Sequence, residues 1–422
     1  MDAASSVLYA EAMFSRREFG LLSLGAMTPL RVIAEGSQPE RKFLFIFNDG
    51  GWDTSHVFTP LWDVPGAHME ADAAVRSANG IDYVDHPARP AVREFFERFG
   101  HTAAVINGIE VPSITHERCR ELILTGSGAL ADDWAAVLAG ESERNLLLPH
   151  VVLDGPAYTN AYTDAVVRIG DSGQLPKLLN QQAFSESTLP ISGLNPAAEI
   201  SVDAFVAQRA QAFGGRFGQD YGNALNRIGD LMAWEGLNLE NTVYGCERDI
   251  AADCSLAFDL FELGLSRCAM LRYKGWCSEG WDTHQGLDLQ SRNFGDLFAY
   301  INQAMDDLES RTGTSGSPLS EEVTVVVFSE MGREPALNSW GGRDHWTFTS
   351  ALMMGSGIQG GQVVGGLDET GRGRRINFDT GVASSDGRLM GPNEFGATLL
   401  ALGGIDSTEA LGDTQAIRAV MK

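Results

Sequence analysis

Four short apolar runs in this chain each lead into a turn that carries an acid, and that repetition restricts the fold more than any other feature. Phe43 to Phe47, Ala103 to Asn107, Cys268 to Tyr273 and Val323 to Phe328 are too short to cross a membrane and suit strands buried on both faces. The first ends in Asn48-Asp49-Gly50-Gly51-Trp52-Asp53 and the second leads into Glu110 to Glu117. The third precedes Gly280-Trp281-Asp282-Thr283-His284, and the fourth meets Ser329-Glu330-Met331-Gly332-Arg333. Two of these turns also carry histidine, His116 and His284. Gly341-Gly342-Arg343-Asp344-His345-Trp346 is a further loaded turn, ahead of the apolar run Ala351 to Met354. Open α/β sheets place ligands at the carboxyl ends of their strands, so acids and imidazoles gathered there point to a metal ion. For Asp49 alone two readings stand, a metal ligand and an Asx-turn that closes a strand.

The segments between these runs supply the helices. Val92, Phe95, Phe96 and Phe99 recur at helical spacing behind Pro90, which gives strand, helix, strand and hence a parallel sheet. Thr59 to Pro87 reads as an irregular surface connection, with His56, His68 and His86 as solvated loop histidines. A second helix is expected to begin near Ser113, with Ile114, Leu122 and Leu124 on its apolar side, and to stop at Thr125-Gly126. A hydroxyl at such a start, Ser113 or Thr115, is either a cap or a nucleophile favoured by the positive helix end. About 155 to 265 reads as a helical insertion, and Asn293 to Leu308 as an amphipathic helix.

A net charge of -25 removes nucleic acid and anionic membranes as nonspecific partners, since both need a basic face. No segment is apolar enough for a stable membrane span. Five cysteines show no zinc-ribbon spacing, and Cys246 and Cys254 are close enough to pair in an oxidising compartment. Ser15-Arg16-Arg17-Glu18-Phe19 ahead of a short apolar segment is a twin-arginine pattern. It sets residues 1–38 apart as a signal segment, leaves 39–422 as the folded domain, and implies a periplasmic or extracellular protein whose partner is the twin-arginine export machinery.

Taken in order, NDGGWD, the Thr-His helix start, GWDTH, SEMGR, N-x-x-GGRDHW and GSGIQGGQVVG resemble the twin-arginine-exported domain-of-unknown-function 1501 family. That family is placed in the alkaline phosphatase and sulfatase superfamily, and the similarity covers Lys42 to Gly412. It implies a doubly wound, mostly parallel α/β sheet with helices on both faces, a helical insertion, and a metal-dependent hydrolase site at the strand ends. Carried across, Asp49 is a ligand of one metal, and Thr115 stands where the superfamily holds its Thr or Ser nucleophile. Asp282, His284 and His345 form the other metal site, with Asp344 beside them. Glu330 ends the strand where the superfamily shows Asp followed by His, and Met331 replaces that His. His116 either compensates as a ligand or serves as general acid, while Arg333 and Arg343 are oxyanion clamps. The sequence around Cys119 lacks the C-x-P-x-R context of formylglycine sulfatases.

The expected cofactor is therefore one or two divalent ions, Zn or Mn ahead of Mg or Ca. The expected function is an exported hydrolase of phosphate or sulfate esters, acting on a small-molecule or glycan anionic ester. The alternative is a noncatalytic envelope protein on the same fold that binds a glycan or an assembly partner.

Overall fold

Lys42–Asn48 (β1), a buried run of aromatic and aliphatic residues, lies inside an eight-stranded sheet. The computed structural model describes residues 40–128, 131–144, 146–169, 196–213, 215, 218, 243–244, 247–278 and 280–422. The other strands of this sheet are Ala103–Glu110 (β2), His150–Val152 (β3), Val166–Arg168 (β4), Cys268–Tyr273 (β5), Val323–Ser329 (β6), Phe348–Gly355 (β7) and Gln362–Gly365 (β8). Their order is β8-β2-β7-β6-β1-β5-β3-β4. Every neighbouring pair is parallel except those made by β7, which runs against both β6 and β2.

Register fixes where the site forms. Asn48 pairs with Ser329 on one side and Tyr273 on the other, so the turns after β1, β6 and β5 leave the sheet side by side. The reversal of β7 completes the set. Because this strand is antiparallel, its amino end lies at the same edge, and His345 and Trp346, just before it, reach the turns that follow the parallel strands.

Helices cover both faces. Phe43, Phe45, Phe47 and Phe328 join one core with His116–Thr125 (α2), Trp134–Gly140 (α3) and Pro392–Leu402 (α6). Pro90–Phe99 (α1), Ile250–Glu262 (α4) and Asp288–Ser310 (α5) form another group, joined by contacts such as Phe95 with Phe298 at 5.2 Å between ring centres. Alternation along the central strands, both of whose faces are apolar, makes this three-layer arrangement the stable one. The protein is thus a mixed, mostly parallel sheet flanked by helices.

The chain divides into two compact units, one of Gln38–Leu175 and Leu239–Lys422, the other of Met1–Ser37 and Pro176–Asn238. In the smaller unit the described secondary structure includes the helix Pro196–Phe213. The twin-arginine segment lies outside the described residues. Helix α4, at the end of the expected insertion, belongs to the larger unit and packs against β5.

Several local expectations are corrected. Thr59 to Pro87 contains a hairpin, Ala74–Ala78 with Ile81–Asp85, closed by Asn79 and Gly80 at φ +52° and +83°. His56 is buried, between Asp53 and Glu70, rather than solvated. Helix α2 starts at His116, which leaves Ile114 outside it and 56% exposed. Cys254 is a free buried thiol, so it does not pair with Cys246, whereas Cys277 is disulfide-bonded.

Candidate metal centre

Two tryptophans, one from each of the first and third acid turns, seat the site. Trp52 and Trp281 are both fully buried and meet edge-on, with ring centres 6.3 Å apart, over Phe294 of α5. Gln290, buried one turn earlier on α5, ties the same turns by hydrogen bonds. Its Oε1 accepts from Asp53 N at 2.9 Å, and its Nε2 donates to Trp281 O at 2.7 Å and Thr283 Oγ1 at 3.0 Å. The glycines allow the close approach. Gly50 has φ +126°, and a Cβ there would lie 2.8 Å from Asp282 N; at Gly51 it would lie 2.8 Å from Met331 Cγ. Met331 is therefore apolar filling beneath the turn, fully buried.

Asp282 stands at the centre of the side-chain cluster above. His116, Asp282 and His345 each present one ligand atom within 4.8 Å of the others. Asp282 Oδ1 lies 3.0 Å from His345 Nε2 and 3.1 Å from His284 Nε2, and its Oδ2 lies 3.2 Å from His116 Nε2. The nitrogens His284 Nε2 and His345 Nε2 are themselves 3.1 Å apart.

The far side of each ring decides what this convergence means. His116 Nδ1 is 2.8 Å from Glu330 Oε1, His284 Nδ1 is 3.0 Å from Asp344 Oδ1, and His345 Nδ1 is 2.6 Å from the carbonyl of Ile114. Carboxylates and carbonyls accept, so all three Nδ1 atoms donate, and in the neutral rings all three Nε2 atoms carry lone pairs. Three lone pairs then face one carboxylate, an arrangement that a cation between them would satisfy. Ligands about 2.0–2.2 Å from one ion stand about 2.8–3.6 Å from each other between octahedral and tetrahedral angles, a range that includes the observed 3.0–3.2 Å. The donor set is therefore capable of coordinating a metal ion, with Glu330, Asp344 and the Ile114 carbonyl fixing the ring tautomers from outside.

Without a metal the geometry favours a proton. Hydrogen bonds to Asp282 and Glu330 push His116 up to about 9. Burial acts to raise Asp282, yet hydrogen bonding to His116, His345 and Arg333 holds it well below the usual carboxylate range. Asp344, bonded by Asn338 Nδ2 and His284, is also lowered.

The remaining expected site residues fall elsewhere. Asp49 pairs with Arg272 at 3.1 Å and Arg120 at 3.5 Å, and it is not among the clustered ligand atoms. Glu330 is fully buried and accepts from Gly50 N at 2.8 Å as well as from His116. Arg333 is buried, donating to Asp282 Oδ1 at 2.7 Å and to the carbonyls of Gly50, Gly51 and Trp281. Arg343 is buried on Asp53 at 3.1 Å and Ser55 at 2.7 Å. Both guanidiniums serve the scaffold in this arrangement. Thr115 is exposed and precedes α2 without making a capping bond, its hydroxyl 3.3 Å from Ser113 Oγ. Gln290 and Arg120 were not singled out by sequence, because nothing local marks a mid-helix Gln or Arg.

Residues 235–417 match a family described as "Protein of unknown function (DUF1501)", a little under half of the chain. No curated protein matches. Solved structures with a similar chain path include a protein in the alkaline phosphatase superfamily from Vibrio parahaemolyticus, at 10% identity and TM-score 0.38, covering 88% of this chain and 68% of that one. Another is the PsFucS1 sulfatase from Pseudoalteromonas sp., at 9% identity and TM-score 0.39, covering 96% and 76%. A third is the C-terminal periplasmic domain of EcEptC from Escherichia coli, at 8% identity and TM-score 0.37, covering 90% and 88%.

Proposed function

We propose that this protein is an exported metal-dependent hydrolase of phosphate or sulfate esters, with one divalent ion held by His116, Asp282 and His345 and flanked by His284. The observation that carries the reading is the convergence of three imidazole Nε2 atoms on Asp282 while each Nδ1 is fixed by an acceptor. When bound, such an ion supplies Lewis acidity toward an ester oxygen and lowers the pKa of a neighbouring hydroxyl or water.

The chain's own groups supply the rest. Thr115, exposed and free of a cap, offers the nucleophilic hydroxyl beside His116. Arg120, one helical turn beyond His116, takes over the oxyanion role expected of Arg333 and Arg343. Its contacts are long, Nε to His116 O at 3.4 Å and NH groups to Asp49 and Glu117 at 3.5 Å, so its guanidinium is free to turn toward an anion. Arg333 keeps Asp282 Oδ1 oriented. The disulfide at Cys277 supports the export reading, since disulfides persist in oxidising compartments.

Thr115→Ala tests the assignment. Turnover of an aryl phosphate or aryl sulfate should fall by about a hundredfold or more with metal content unchanged; undiminished turnover would remove Thr115 as nucleophile. A wild-type protein that is metal-loaded and inert toward both esters would contradict the hydrolase reading.

A further inference from the structure

A cleft of about 640 Å³ opens between the ends of β2 and β7 and the loop 366–389, and three arginines, Arg372, Arg374 and Arg375, line it. In a chain with 31 basic and 56 acidic residues, three guanidiniums within four positions are a local reversal of charge. Their backbone is rigidly held. Arg374 N donates to Gly366 O at 2.9 Å, Ser384 N donates to Arg375 O at 3.0 Å, and Gly373 packs so tightly that a Cβ would meet Gly108 O at 2.4 Å. Trp346 Nε1 donates to Gly371 O at 3.0 Å, fastening the segment to the strand that carries His345.

The side chains, by contrast, are exposed and little used. The Arg375 side chain donates to Gly387 O at 3.2 Å, and the Arg374 side chain has no hydrogen-bond or ion-pair partner among the described residues. Asp368, also at the cleft, is spent internally, accepting from Thr370 and from Arg372 N. Glu110, Ser384 and Ser385 add acceptors and hydroxyls.

We infer that this cleft binds an acidic saccharide segment, with Arg372, Arg374 and Arg375 holding its sulfate or carboxylate groups and Glu110, Ser384 and Ser385 meeting its hydroxyls. The volume is in the range of a site for an organic ligand rather than a lone oxyanion. Guanidiniums match sulfate and carboxylate in a bidentate way, and the Glu110 carboxylate, without a hydrogen-bond or ion-pair partner among the described residues, suits ring hydroxyls. A nucleic acid is disfavoured by the overall charge and by Phe348, whose 6% exposure leaves no open aromatic face for a base. None of the residues lining the cleft belongs to the metal cluster, and the inference does not depend on the hydrolase reading.

Calorimetric titration of the full chain with a heparin-derived tetrasaccharide, its desulfated counterpart and inorganic sulfate tests the proposal. The sulfated tetrasaccharide should bind, more weakly as ionic strength rises. Arg374→Gln should weaken binding about tenfold, and Arg372→Gln/Arg374→Gln/Arg375→Gln should abolish it, with metal content and circular dichroism unchanged. His345→Ala should bind the tetrasaccharide as wild type does, which separates this site from the metal centre. The proposal is overturned if wild type binds neither tetrasaccharide, if inorganic sulfate binds equally well, or if Arg374→Gln binds undiminished; weaker binding of the desulfated sugar assigns the arginines to sulfate, and equal binding assigns them to carboxylate.

Discussion

His116 shows most directly how single residues set this site. Its ring joins buried Glu330 to Asp282, and in the metal-free protein that pairing keeps it protonated up to about 9. A metal must displace that proton, so affinity should increase as pH rises toward 9 and proton release should accompany binding. Asp282→Asn removes the larger cause of the upward shift. NMR titration of the metal-free variant should find the His116 transition at least about one unit lower, and an unmoved transition would deny the pairing. Arg120→Ala should raise KM for an anionic ester several-fold while leaving metal content intact, which steady-state kinetics and elemental analysis together check. Residue types at this scale were readable in the sequence: Asp282, His345 and the flanking His284 stand in two motif turns, and His116 in a third. Partners were not, because Arg333 and Arg343 differ from free anion clamps only in which carboxylates and carbonyls surround them after folding.

At the scale of elements, the turns work because the strands end in register and because a helix holds the turns down. Gln290 on α5 satisfies Asp53 N, Trp281 O and Thr283 together. Gln290→Leu would leave the buried Asp53 N without its acceptor and should cost about 1–3 kcal/mol in denaturant unfolding, with metal affinity reduced as Asp282 loses its support; unchanged stability and affinity would contradict this. The central strands and α1 were legible from apolar runs and helical spacing, since Pro90 and Phe99 bound the helix as expected. Two features were not. The direction of β7 depends on pairing with β6 and β2, which no local pattern in Phe348 to Gly355 states. The hairpin at 74–85 did carry a signal, Asn79-Gly80 between strands, and its exposed first strand hid it among polar residues.

Across the whole molecule, two buried groups outside the metal cluster oppose each other in acid. Burial pushes His150 on β3 down to about 4, and burial pushes Asp133, the cap of α3, up to about 6. From pH 6.5 down to 4 the unfolded chain protonates His150 while the folded chain does not, so this group lowers stability as pH falls. Asp133 does the reverse, because below about 6 the folded chain holds a proton that the unfolded chain still lacks. His150→Phe removes the first slope. Its stability relative to wild type should therefore improve by up to about 3 kcal/mol between pH 6.5 and 4, read by chemical denaturation at each pH, and a constant difference would refute the linkage.

One divalent ion at the convergence of His116, Asp282 and His345 is the claim on which the functional reading depends. Elemental mass spectrometry of folded protein, purified without chelators and then incubated with Zn or Mn, measures it directly. About one metal per chain, lost in His345→Ala with the fold retained, is the predicted result. Folded wild-type protein that stays metal-free, or metal that persists undiminished in His345→Ala, would contradict the account.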